Sequence, residues 1–189
     1  IQEPATFDRE HRRLLTDKLA EKATELAQVN ARLSEVVAIN QRLALERDPV
    51  RLIDEVTSAA RRLIGCRHAL AAIAGEDGRF RHVFGSALDG EVAQDLIGRD
   101  SRLGSLGGIF AHPEPVRLRG SPAELGLPAS HPAVESLLAA PIVSLERVYG
   151  WVCLSNKLGL DDFTGDDVEL ATILAAQLGR IYESGRLYQ

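Results

Sequence analysis

The chain has 189 residues, of which 45% are apolar and 26% charged, with a formal net charge of −5; that balance is globular and excludes an intrinsically disordered chain. No apolar run approaches the roughly 18 residues a membrane span requires. Residues 1–47 hold 8 Lys/Arg against 8 Asp/Glu and the remainder 14 against 19, so neither nucleic acid nor an anionic membrane finds a basic face. The two cysteines, Cys66 and Cys153, belong to no CxxC or CxxH pattern. A disulfide framework and a structural zinc site are thereby excluded, and a reducing, cytoplasmic compartment is expected. No basic segment followed by an apolar stretch opens the chain. Residue 1 is Ile and Met is absent, so an excised or processed piece is expected.

From Phe7 to Arg47 there is no Gly or Pro, and Leu, Ala, Glu, Gln and Arg dominate. That predicts a helix of some 40 residues, far beyond the ~12-residue globular average. Its apolar residues follow a heptad. Leu19, Leu26, Leu33 and Asn40 fall on one seam position; Leu15, Val29, Val36 and Leu43 fall on the other, with Lys22 interrupting. So narrow a seam is stable against a partner helix, and Asn40 suits a parallel two-stranded coil, where two amides pair across the axis. The alternative is a helix folded back on its own domain, which ordinarily buries a wider stripe.

Asp48-Pro49 reads as N-cap and first position of a second helix. Leu52, Ile53, Val56, Ala59, Ala60, Leu63 and Ile64 repeat at helical spacing, and Gly65 ends it. A hairpin is predicted next, with strands His68–Ala74 and Arg79–Ser86 around Glu76-Asp77-Gly78. A short helix is expected over Glu91–Ile97. Residues 98–130 are rich in Gly, Pro and Ser, with a short strand near Val116–Arg119. Strands Ser136–Ser144 and Arg147–Asn156 follow, joined at Leu145-Glu146. Thr164 opens the last helix with Asp167 three residues on, a capping-box spacing, and that helix is expected to run to about Tyr188. The order of elements predicts an α+β domain, an antiparallel sheet with helices on one face. The domains are 1–47, the coil, and 48–189.

No GxSxG, HExxH, GxxxxGK[ST] or GxGxxG is present, and no catalytic constellation stands out. Gly104–Gly108 is glycine-rich without a lysine, a poor phosphate cradle. Asp161, Asp162, Asp166 and Asp167 read as a solvated helix start, favoured by the helix dipole. Of the five histidines, His131 precedes Pro132 at the mouth of a strand pair, where a loop side chain is placed to point inward over the sheet.

Three motifs now become specific. HPAVESLLAAPI (residues 131–142) resembles the HPPMxSFLGVPI segment of GAF domains. Tyr149-Gly150-Trp151-Val152-Cys153-Leu154-Ser155-Asn156-Lys157 resembles their FGxLYLxNK strand, and Asp162-Phe163-Thr164-Gly165-Asp166-Asp167-Val168-Glu169-Leu170 their FTxxDxxLL helix start. The motifs occur in order, within a pattern covering about Asp48 to Tyr188. The resemblance is nearest to the haem-binding GAF domains of mycobacterial dormancy sensor histidine kinases, which Gly104, Leu106, Gly107, Pro113, Pro115, Arg117, Leu118 and Gly126-Leu127-Pro128 also match.

The resemblance implies a central antiparallel sheet of five or six strands, helices on one face and an irregular cap over a small-molecule pocket on the other. It implies a non-catalytic, ligand-sensing and signal-relaying module of a bacterial sensor histidine kinase, dimerised through the N-terminal helix. A diguanylate cyclase or a transcription regulator is the next choice of parent. The alternatives are a haem-binding gas or redox sensor, or a dimerisation and relay element with an empty pocket. The candidate pocket residues are His131, Cys153, Ile109, Phe110 and Phe84. The iron ligand of the haem-binding group aligns on His131, while a pocket tyrosine of that group aligns on Cys153, where this sequence departs. Bilin-binding members need a Cys beside a His in the cap, and methionine sulfoxide reductases need several cap cysteines; neither pattern is here. The Asn-Lys…Phe…Asp-Glu pattern of cyclic-nucleotide members is matched by Asn156, Lys157, Phe163 and Asp167, but Val168 replaces Glu. Its structural reading is a partly exposed contact between Lys157 and Asp167 that fastens strand to helix.

Overall fold

The Gly- and Pro-free segment forms one helix, α1 (Pro4–Leu43). The computed structural model describes residues 4–43, 48–145 and 147–186; side chains 4–11, 33, 35–43 and 186 lie outside the description. The chain divides into two units, Ile1–Leu45 and Glu46–Gln189. Within the first, the seam residues Leu15, Leu19, Leu26 and Val29 are exposed by 47–69%. The side chains of Leu33, Val36, Asn40 and Leu43 fall outside the described residues, as do residues 44–47 of the expected helix.

In the second unit, α2 (Pro49–Ile64) begins where Asp48 accepts a hydrogen bond from the Val50 N–H and ends on Gly65 in the left-handed region. Its buried stripe comprises Leu52, Ile53, Val56, Thr57, Ala59, Ala60, Leu63 and Ile64, a 3.6-residue period turned toward the sheet. Strands β1 (Cys66–Ala74) and β2 (Phe80–Ser86) form the hairpin. Helix α3 (Gly90–Leu96), a 3-10 turn (Ser105–Phe110), β3 (Val116–Leu118) and a single-turn α4 (Pro122–Leu125) make the cap. Strands β4 (Leu137–Ser144) and β5 (Arg147–Lys157) lead to α5 (Gly165–Arg186). Glu146 of the intervening turn and residues 187–189, which include the end of the expected last helix, lie outside the described residues.

The five strands form one antiparallel sheet in the order β2-β1-β5-β4-β3. Strand alternation assigns each buried side chain to one of two faces. On one side Leu70, Ala72, Leu137, Ala139, Trp151 and Cys153 meet the cap's Val92, Leu96, Leu106, Ile109, Leu125 and Leu127 in a single apolar cluster. On the other lie α2 and α5, packed against each other and against the sheet. The α+β class with one helix-covered face and one capped face is therefore the observed architecture.

Two cap elements were not expected from sequence. The 3-10 turn opens at Gly104, where a Cβ would stand 2.2 Å from the Gly126 backbone nitrogen. The glycines of this loop thus let two backbones touch, a packing role and not a phosphate cradle. Helix α4 is started by a full capping box between Ser121 and Glu124, a Ser-x-x-Glu signal legible in the sequence.

Candidate functional site

Asn156, next to last in β5, has φ +63°, a conformation Asn tolerates better than most residues. From there its side chain accepts from the Glu135 N–H (2.8 Å) and donates to the Ala133 carbonyl (2.9 Å). The Asn156 N–H also donates to the Ser136 carbonyl. One buried residue thus pins the segment 133–136 that follows His131. Sequence reading missed this role, although an Asn at a strand end is the available signal.

Just before that segment, His131 is only 4% exposed. Its Nδ1 lies 2.8 Å from the Pro132 carbonyl oxygen. A carbonyl only accepts, so Nδ1 carries the proton, and in the neutral ring Nε2 is a bare acceptor. Nε2 is buried and without a partner. Burial holds the imidazole below its ordinary pKa, with the His68 ring adding to the effect and the Pro132 bond opposing it. The His68 ring stands 6.1 Å away, edge to face, and its own Nδ1 is 2.8 Å from the Ala87 carbonyl oxygen.

Cross-strand register places Ser155 opposite both His68 of β1 and Leu137 of β4. Ser155 shares the cap-facing side with Cys153 and Trp151. Its hydroxyl and the Trp151 indole N–H are also buried without partners. Trp151 meets Phe80 edge to face, ring centres 5.4 Å apart.

Of the candidate pocket residues, Cys153 and Ile109 belong to the cap-facing cluster and Phe110 packs against it half-buried. Phe84 does not join them. It pairs with Ala71, while the cap-facing Leu70 and Ala72 pair with Gly85 and Val83. Two residues before it, His82 meets Tyr182 of α5, so Phe84 lies on the helix-covered side. A strand that alternates faces leaves no intermediate choice. Burial pushes the Cys66 thiol up to about 12 and the Cys153 thiol higher still, so neither is a nucleophile at neutral pH.

The resemblance raises haem, with His131 as ligand. A bare Nε2 is the correct donor chemistry. The space is not: the side chains between cap and sheet, Trp151 among them, are 0–2% exposed apart from Ala74, and a macrocycle would displace the whole cap core. The residues present do not fit the group. Among the described residues, no three His, Cys, Asp or Glu gather to hold a metal ion.

At the far end of β5, Lys157 Nζ lies 2.8 Å from Asp167 Oδ2, with the side chains 8% and 2% exposed. Lys157 also donates to the Ile64 carbonyl at the end of α2 and lies 6.0 Å from the Phe163 ring centre. Asp167 and Thr164 exchange capping bonds, each backbone N–H donating to the other's side chain. The partly exposed contact and solvated Asp167 expected from sequence are therefore corrected: the pair is buried, because α2, β5 and α5 converge on it.

A family model described as GAF domain matches residues 46–183. The chain belongs to the GAF family. Solved GAF structures share its fold at low identity. The GAF domain of an Acinetobacter phosphoenolpyruvate-protein phosphotransferase is 16% identical with a TM-score of 0.69, over 85% of this chain and 97% of that one. The GAF-B domain of DevS from Mycobacterium smegmatis is 20% identical with a TM-score of 0.55, over 75% and 100%. A domain of a protein described as a two-component sensor histidine kinase, from Sinorhizobium meliloti 1021, is 17% identical with a TM-score of 0.53, over 72% and 91%. GAF domains are generally regulatory, ligand-binding modules. Among the described residues of this one, no helix is long and apolar enough to cross a membrane.

Proposed function

We propose that this GAF domain is a sensory and relay module of a bacterial signalling protein, with a sensor histidine kinase the first choice of parent. It acts as a parallel homodimer joined through α1, in the cytoplasm, without catalysis and without nucleic acid. The observation that carries the relay is the meeting of Pro49 and Gly185. A Cβ on Gly185 would stand 2.6 Å from Pro49 Cγ, so the first residue of α2 and the last turn of α5 touch. The segment joined in sequence to the coil and the helix that closes the domain thus share one joint, and a shift in one moves the other. The exposed seam of α1 supports the dimer: Leu19, Leu26 and Val29, at 69%, 62% and 47% exposure, are apolar residues awaiting a partner.

Sensing is assigned to the capped face, where His131 offers an unused acceptor. The filled cap-facing core favours a second reading, in which the domain relays a signal arriving along α1 and takes no ligand. Sedimentation of the chain at micromolar concentration tests the shared premise. A dimer is expected, and a monomer overturns the relay.

A further inference from the structure

Three side-chain polar atoms are buried without partners among the described residues: His131 Nε2, Ser155 Oγ and Trp151 Nε1. All three side chains lie on or against the capped side of the sheet. A buried polar group without a partner is costly, about 1–3 kcal/mol, and buried polar groups are ordinarily completed by the protein or by a bound molecule. Their chemistry is complementary. His131 Nε2 is an acceptor, because its tautomer is set by the Pro132 carbonyl; Ser155 donates or accepts; the indole only donates. Ser155 and Trp151 are four residues apart on one strand, about 13 Å at 3.3 Å per residue. The floor between them is small and uncharged: Cys153 on β5, flanked by Leu70 and Ala139.

Among the described buried residues Asp167 carries the one charged side chain, and it is already paired with Lys157. Arg117 and Arg119, on and beside β3, are spent on the carbonyls of Phe163, Glu135 and Asp161. A phosphate or carboxylate entering this space would be a buried charge without a counter-ion, which costs far more than one hydrogen bond returns.

We propose that the His131–Ser155 end of the capped face binds an uncharged small molecule bearing an O–H or N–H donor, with His131 Nε2 as its acceptor and Ser155 as its second polar contact. The proposal rests on the sensory reading above and gives its ligand a chemical class, one that excludes nucleotides and other anions. Entry is by displacement of the cap, two of whose pieces, a six-residue 3-10 turn packed on β4 and β5 and the four-residue α4 packed on that turn, are too short to be stable alone.

Trp151 is the sole tryptophan of the chain and forms part of the floor, so its fluorescence reports the site. The probes are phenol, anisole, which lacks the donor, and 4-hydroxybenzoate, which adds a charge. Phenol should give a saturable change, with anisole and 4-hydroxybenzoate at least about tenfold weaker, the equivalent of one hydrogen bond near 1.4 kcal/mol. His131→Phe should abolish the phenol response and Ser155→Ala weaken it severalfold. Should His131→Phe fail to fold, Ser155→Ala decides alone. No saturable response to phenol overturns the proposal, water alone then bridging the two groups. So does an anisole response equal to that of phenol, or wild-type affinity in the folded variants. Sedimentation of the same samples separates the two readings. A dimer blind to phenol sinks this inference only, and a monomer that binds phenol sinks the relay only.

Discussion

Lys157 and Asp167 form an ion pair at 2.8 Å in which both side chains are buried. Two charges removed from water repay their desolvation only through close geometry and further hydrogen bonds. Both conditions hold, since Lys157 also reaches the Ile64 carbonyl and Asp167 accepts from the Thr164 N–H. Removing one partner strands the other, so Asp167→Asn should cost about 3–5 kcal/mol in urea unfolding. The double change Lys157→Met with Asp167→Leu should cost less than Asp167→Asn. A single variant as stable as wild type would show that water enters the pair.

The Pro49–Gly185 joint admits no side chain on the glycine without movement. Gly185→Val should lower stability by about 1–3 kcal/mol through overpacking. Amide exchange should accelerate in the first turn of α2 and the last of α5, while the cap keeps its protection. Uniform acceleration across the domain would mean that the joint is not a separate element.

A charge in the apolar seam of α1 opposes association without touching the sheet domain. Leu26→Asp should convert the dimer to monomer in sedimentation at micromolar concentration, since an unpaired charge is costly in a dry interface. Far-UV circular dichroism should retain the sheet signal. An unchanged sedimentation coefficient would remove Leu26 from the interface.

The His131 imidazole is held below its ordinary value of 6.5 by burial, opposed by the Pro132 bond and reinforced by His68. The unfolded chain therefore binds this proton at higher pH than the folded one does. The stability contributed is fully present above about pH 6.5 and is lost as pH falls toward the folded value. His131→Gln should flatten this acid limb of the stability profile. An identical pH slope in wild type and variant would assign the limb to other groups.

Hemin added to the protein should give no Soret band that His131→Ala removes, because the cap-facing core is occupied by the protein's own side chains. A band present in wild type and absent in the variant would show that the cap yields to the macrocycle.

Much of this architecture was legible in the sequence because its signals are local. Asp48-Pro49 and Gly65 bound α2 through capping and backbone preference alone, and Thr164 with Asp167 opens α5 at capping-box spacing. The heptad of α1 needs only a period, and the family resemblance follows from residues within three short motifs. None of this depends on what lies across the sheet.

Tertiary structure decided the rest. Phe84 falls on the helix side because β2 pairs with β1 in one register, with a shift only at Ile73/Ala74; a single-residue slip would have turned it to the cap. Asp167 is buried because α2, β5 and α5 meet there, a coincidence of three segments far apart in sequence. His131 keeps an unpartnered nitrogen because its own neighbour Pro132 claims the other one while Asn156, 25 residues on, holds the following loop. The sequence by itself determined which segments form helices and strands and which family they compose. Only the folded chain decided which polar groups are buried and which of them stay without a partner, because desolvation depends on every surrounding atom rather than on neighbours in the chain.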